Sequence, residues 1–198
     1  MALWWGRLNN TKINRLYLQF ANRKSQTALI MKHKGMRPQD ILVLLKISIT
    51  KGRLYQKQIA QDLLISPSEV SESLTRSTYS GLIGAKSHNV KVKTFYEFII
   101  YGLPYVFPAI QGSIVKGIPT ASSMSPLNSI FTNEIEYVWP SKNATHTGIS
   151  IEPLYPSVPE AAQNDIKLYE ALTLVDAVRI GYTREKKEAS QLLKQLLK

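Results

Sequence analysis

Between residues 37 and 84, apolar positions recur at helical spacing in three short blocks separated by polar breaks. Arg37-Pro38-Gln39-Asp40 opens the first block. A proline at a first helical position lacks only an amide that would be unpaired anyway. Ile41, Leu42, Leu44, Leu45 and Ile49 then give an apolar face broad enough for a core helix, which Gly52 closes. The second block, Gln56 to Leu64, turns Ile59, Ala60 and Leu63 inward, Ala60 being the small residue that a close helix crossing needs. Leu64-Ile65 forms a turn. Ser66-Pro67-Ser68-Glu69 starts the third helix, with Ser66 as N-cap, Pro67 at the first position and Glu69 completing a capping box. Val70, Ser73 and Leu74 face inward on this reading, and Ser71, Glu72, Thr75 and Arg76 face out. Gly81-Leu82-Ile83 and Val90 to Lys93 are expected as the strands of a wing around an Ala85–Asn89 turn.

Downstream the period changes. Thr94 to Gly102 reads as a short aromatic helix. Residues 104–159 hold eight of the ten prolines, which excludes regular helix over most of that stretch. Its many apolar residues point to ordered coil with short strands, Glu134–Trp139 and Gly148–Glu152 among them. Tyr101, Tyr105, Phe107, Trp139 and Tyr155 are candidates for an effector pocket or, alternatively, for aromatic packing of this layer. Ile166 to Ile180 carries two apolar stripes, with Asp176 and Arg179 or Ile180 at the polar edge. Arg184 to Leu197 is amphipathic and suits closing the core or packing on another subunit. The expected fold class is mainly α with a small β wing: a winged helix-turn-helix over 36–93, then a loop-rich, proline-rich extension and C-terminal helices over 94–198.

A helix-turn-helix with a hydroxyl-rich outer face changes the question to one of partners. Short Ser and Thr side chains permit close approach to base edges and phosphates. The candidate DNA-binding residues are Arg53, Gln56, Lys57, Ser66, Ser68, Glu69, Ser71, Glu72, Thr75, Arg76, Lys86 and Lys91. Double-stranded DNA is the expected partner, with a homodimer placing two such helices on successive major grooves. The alternative is a winged helix that binds a partner protein, with weak or accessory DNA contact.

Charge sharpens this. The chain has 198 residues and a formal net charge of +11. Residues 1–35 supply seven basic residues and no acid, residues 36–93 a net of +5, and the remainder a net of −1. A polyanion therefore belongs with the N-terminal half. The extension over 1–35 reads as a basic arm, as an extra packing helix, or as a disordered or start-site segment ahead of Met31 or Met36. Zero cysteines exclude disulfides, thiol nucleophiles and Cys-ligated zinc. Three scattered histidines do not make a His-only metal centre, and no apolar run spans a membrane. Glu134, Glu136, Glu152 and His146 are the acid–base candidates of the proline-rich part, and they form no recognisable catalytic set. No enzyme activity, cofactor or membrane association is expected, and the expected location is cytoplasmic.

The stretches Arg37-Pro38-Gln39-Asp40, Gln56-Lys57-Gln58-Ile59-Ala60 and Ser66-Pro67-Ser68-Glu69-Val70-Ser71 resemble the winged helix-turn-helix of bacterial MarR-type regulators. Gly117-Ile118-Pro119-Thr120-Ala121, Val138-Trp139-Pro140 and Glu152 to Pro159 are similar to a narrower group of small bacterial winged-helix proteins. The resemblance covers about 36–185 and implies transcription regulation as a dimer. It departs from the family at Tyr55, where a Ser or Thr cap is usual, and at Glu72, where Arg is common.

Overall fold

A computed structural model describes residues 35–197, apart from 51–53, 88, 133 and 143. Residues 36–198 form one compact unit. The expectations for the basic extension lie outside the described residues, and the architecture below is that of this unit. Helix α1 (Pro38–Ile49) is buried on every side from Asp40 to Lys46. A helix buried all round belongs inside a core, and the two helices that follow it and the later helix Ile166–Ile180 pack against it. Helices α2 (Gln56–Leu63) and α3 (Pro67–Tyr79) follow as expected. Between them Leu64 takes a left-handed conformation, φ +55°. The amides of Leu64 and Ile65 return to the carbonyls of Gln61 and Ala60, which satisfies the end of α2.

The wing is shorter than the sequence pattern implied. A single bridge joins Ile83 to Val90, and the Lys91 amide donates to the Leu82 carbonyl. The chain then turns directly into α4 (Val92–Tyr101), so Val92 and Lys93 are helical and not part of a return strand. Val92, Phe95 and Ile99 fall at helical spacing against the core, which fixes that start. A one-turn helix, α5 (Leu103–Val106), follows.

The proline-rich part holds a three-stranded sheet. Strand β1 (Gln111–Pro119) runs antiparallel to both β2 (Glu136–Pro140) and β3 (His146–Ile151), while β2 and β3 are parallel, so the three close on one another. β2 and β3 correspond to the expected pair with shifted ends: Glu134 and Ile135 lie ahead of β2, and β3 begins at His146 and stops before Glu152. β1 replaces expected coil. Closure needs backbones in tight contact: a Cβ on Gly117 would overlap the Trp139 carbonyl, and one on Gly148 the Glu136 carbonyl. Helices α6 (Val158–Asn164), α7 (Ile166–Ile180) and α8 (Thr183–Leu196) complete a mainly helical fold with a small mixed sheet. Ala189, Leu193 and Leu197 of the C-terminal segment are buried within the chain itself, so this amphipathic helix closes the core.

A buried polar hub fastens the proline-rich layer to α7. Asp176 and Arg179, expected at a polar edge, are both buried and 2.7 Å apart. Asp176 Oδ2 accepts from the Trp139 indole at 2.6 Å and from Thr120 Oγ1 at 3.0 Å. Burial pushes the Asp176 carboxyl up, opposed by Arg179, Trp139 and Thr120. Arg179 also donates to the carbonyls of Phe107, Glu152 and Pro108 at 3.0–3.3 Å. Irregular backbone has no ladder of its own to satisfy its carbonyls, and a guanidinium with five donors supplies partners for three of them. Beside the hub, Tyr169 donates to the Pro119 carbonyl at 2.6 Å, and burial pushes its phenol up to about 12.

Ser73 and Ser77 on α3 and Thr173 on α7 are buried with hydroxyl oxygens lacking a partner among the described residues. A buried hydroxyl without a bond is a cost that Ala does not carry. Ser77→Ala is therefore expected to leave stability unchanged or raise it by up to about 1 kcal/mol. Chemical denaturation measures this, and a loss larger than that would show that the hydroxyl is bonded.

Candidate nucleic-acid interface

The second helix of the motif, α3, presents an exposed stripe. Ser68, Ser71, Glu72, Thr75 and Tyr79 lie outward, while Val70, Ser73, Arg76 and Ser77 lie inward. Gln56 and Lys57 are exposed at the start of α2, and Lys86 and Lys91 are exposed on the hairpin and at its exit. Of the twelve sequence candidates, Arg53 lies outside the described residues. Eight of the others (Gln56, Lys57, Ser68, Ser71, Glu72, Thr75, Lys86 and Lys91) are exposed as expected. Ser66 and Glu69 take the capping roles expected of them, and Arg76 needs correction.

Arg76 does not face out. Its guanidinium is buried against Asp40 of α1, with Nη2 at 2.7 Å and Nε at 2.9 and 3.2 Å from the carboxylate oxygens. Nη1 reaches back to Glu72 at 3.2 Å. The reason is geometric: position 76 is three residues beyond buried Ser73 and adjacent to buried Ser77, within the inner arc of the helix. The Asp40 partner raises the Arg76 pKa, against its desolvation. Arg76 thus locks α3 onto α1 and has no free charge to offer a phosphate.

Ser66 and Glu69 are spent on the helix start. Ser66 Oγ accepts from the Glu69 amide at 3.2 Å, and Glu69 Oε2 accepts from the Ser66 amide at 2.9 Å. Glu69 Oε1 also accepts from the Tyr155 hydroxyl at 2.6 Å. Tyr155 and then the Ser66 donors hold the Glu69 carboxyl below its usual range, and the same bond pushes the Tyr155 phenol up. With a carboxylate held across it, this helix start repels a phosphate instead of cradling one. Ser66 is exposed and Glu69 half-buried, so both belong to the scaffold at the edge of the stripe. Ser157 Oγ donates to the Leu63 carbonyl at 2.7 Å. Tyr155 and Ser157 therefore brace both sides of the turn between α2 and α3, a role with no local signal in the residues around them.

Lys46 links the motif to α7. Its ammonium lies 2.7 Å from Asp62 of α2 and 2.8 Å from Asp165, which caps α7 through the Lys167 and Leu168 amides. Burial acts to lower Lys46, but Asp165 and Asp62 outweigh it and the pKa rises. Burial likewise acts to raise Asp165, and Lys46 with the two amides brings it below 3.8. A lowered folded value means the stabilisation is present above the unfolded pKa and lost as pH falls through the lower folded one. Between pH 5 and 3 the native protein should therefore lose more stability in urea than Asp165→Asn; equal losses would contradict the assignment.

No family model, curated protein or solved structure matches the chain. The stripe and the exposed lysines therefore rest on their own geometry. The two buried pairs of 36–93, Asp40 with Arg76 and Lys46 with Asp62, cancel within the segment. Its net of +5 is left to the surface groups and to Lys51 and Arg53.

The aromatic residues considered for an effector pocket do not converge. Trp139 is buried in the hub and Tyr155 is tied to Glu69, whereas Tyr101 and Tyr105 are exposed. The rings of Trp139 and Tyr169 pack at 5.6 Å, as layer packing requires. A depression of about 410 Å³ opens elsewhere, over Lys46, Asp62 and Asp165. Among the acid–base candidates, His146 Nδ1 and Glu136 are 3.0 Å apart at the surface of the sheet. Among the described residues no cluster of three or more potential metal ligands forms, and no helix is long and apolar enough to cross a membrane.

Proposed function

We propose that the protein is a cytoplasmic transcriptional regulator of the MarR-like winged-helix kind, binding double-stranded DNA with α3 in the major groove. The observation that carries this reading is the exposed Ser68, Ser71 and Thr75 stripe on a helix braced from behind by Arg76 and Tyr155. Short hydroxyls let the helix approach base edges closely, and a braced helix holds them in register. Lys57 at the start of α2, Lys86 on the hairpin and Lys91 at its exit are exposed and suit phosphate contacts. A dimer would present two α3 helices to grooves about 34 Å apart.

Fluorescence anisotropy of labelled duplex DNA against salt tests this. Three lysine–phosphate contacts release counterions such that log K falls with log salt with a slope of roughly −3 or steeper. Binding that ignores salt would exclude these lysines from the interface. Glu72, its side chain 54% exposed in the middle of the stripe, favours the second reading, docking of α3 on a partner protein.

A further inference from the structure

Given α3 in the major groove, the reading on which this rests, we infer that Glu72 sets base specificity by accepting from the N4 amino group of a cytosine. Glu72 lies near the middle of α3, with exposed Ser68, Ser71 and Thr75 around it on the outer face. Its side chain is the longest of the four, so its carboxylate reaches beyond the hydroxyls. A mobile glutamate would lose conformational freedom on docking and read poorly. This one is held. Arg76 Nη1 donates to Glu72 Oε2 at 3.2 Å, and Asp40 fixes Arg76 in turn through Nη2 and Nε. Asp40 also accepts from the Arg37 amide at 2.8 Å. Charge-assisted bonds therefore run from the start of α1 to the outer face of α3. They leave Glu72 Oε1 without a partner among the described residues.

Groove chemistry selects the base. The formal charges of Asp40, Arg76 and Glu72 sum to one negative, and Glu72 is the exposed end of the set. That charge favours a partner protein on the second reading; against DNA it has one use, as an acceptor for a base amino group. Guanine N7 and O6 and thymine O4 are themselves acceptors and repel a carboxylate. The donors of the major groove are adenine N6 and cytosine N4. Adenine N6 lies between two acceptors, its own N7 and the O4 of the paired thymine. Cytosine N4 has an acceptor on one side alone, the O6 of the paired guanine, so a carboxylate meets least repulsion there. Thr75 is biased the same way. Its Oγ1 gives its proton to the Ser71 carbonyl at 2.9 Å, which leaves acceptor lone pairs and a methyl group for the groove.

Parallel selection from a random duplex library with the full-length protein, Glu72→Gln and Glu72→Ala tests this. The parent protein should enrich a cytosine at one fixed position of the recovered site. Replacing that C·G pair by T·A should weaken its binding about tenfold or more in anisotropy. Glu72→Gln separates reading from a structural role. Its amide oxygen takes the place of Oε2 on Arg76 Nη1, which turns the amide nitrogen, a donor, toward the groove. The cytosine should then give way to guanine or thymine, the bases with an acceptor to offer at that position. Glu72→Ala should no longer distinguish C·G from T·A. The position is exposed, so the circular dichroism spectra and thermal midpoints of both variants should match the parent. A parent site without a fixed cytosine, or a cytosine that either variant keeps, overturns the inference and leaves DNA reading by α3 standing. No enrichment by the parent protein overturns both.

Discussion

Replacing Arg179 with methionine is expected to cost the fold about 3–5 kcal/mol, read as a lower midpoint in urea. Methionine keeps much of the packing volume but removes every donor. Asp176 then sits buried with only the Trp139 indole and Thr120 for partners, and its negative charge is uncompensated. The carbonyls of Phe107, Pro108 and Glu152 lose their donor at the same time. Breaking one half of a buried pair is more damaging than its net contribution, because the remaining charge stays desolvated. Asp176→Asn should cost less, since an amide oxygen still accepts from Trp139. A loss below about 1 kcal/mol for Arg179→Met would show that the proline-rich layer is held by apolar packing alone.

The second large effect concerns α3. Ser71→Asp combined with Thr75→Asp is expected to lower affinity for duplex DNA by about 100-fold, roughly 3 kcal/mol, by removing two groove contacts and adding two repulsive charges. Both positions are exposed, so the thermal midpoint should barely move. Arg76→Ala is the contrasting variant. It leaves the Asp40 carboxylate buried with only the Arg37 amide for a partner, so its principal effect should be on stability. Unchanged DNA affinity in the double variant would remove the outer face of α3 from the interface.

Much of this scaffold was legible in the residues. The capping box at Ser66 and Glu69, the turn at Leu64-Ile65 and the span of α7 follow from local chemistry and periodicity, and they match the structure residue for residue. What escaped was long-range. The sequence reading puts Arg76 on the outer face with Ser71, Glu72 and Thr75, whereas its side chain lies inward. Its partner Asp40 lies 36 residues earlier, where only the run of apolar residues that follows it hints at burial. Asp176 and Arg179 were misplaced for the same reason: three of their partners are backbone carbonyls of irregular segments, which leave no trace in a side-chain pattern. β1 was hidden by Gly112, Gly117 and Pro119, residues that lower strand propensity but at Gly117 permit the sheet to close. Within the candidate interface, the exposed hydroxyls and lysines were readable from helical spacing. The brace of Tyr155 and Ser157 was not, since it joins segments about 90 residues apart.

The most direct measurement is selection of bound fragments by the full-length protein from a random duplex DNA library at low salt. The expected result is enrichment of a defined sequence whose recovery is abolished by the Ser71→Asp, Thr75→Asp double variant. No enrichment by the folded parent protein, or an enrichment that the double variant reproduces, would contradict DNA reading by α3.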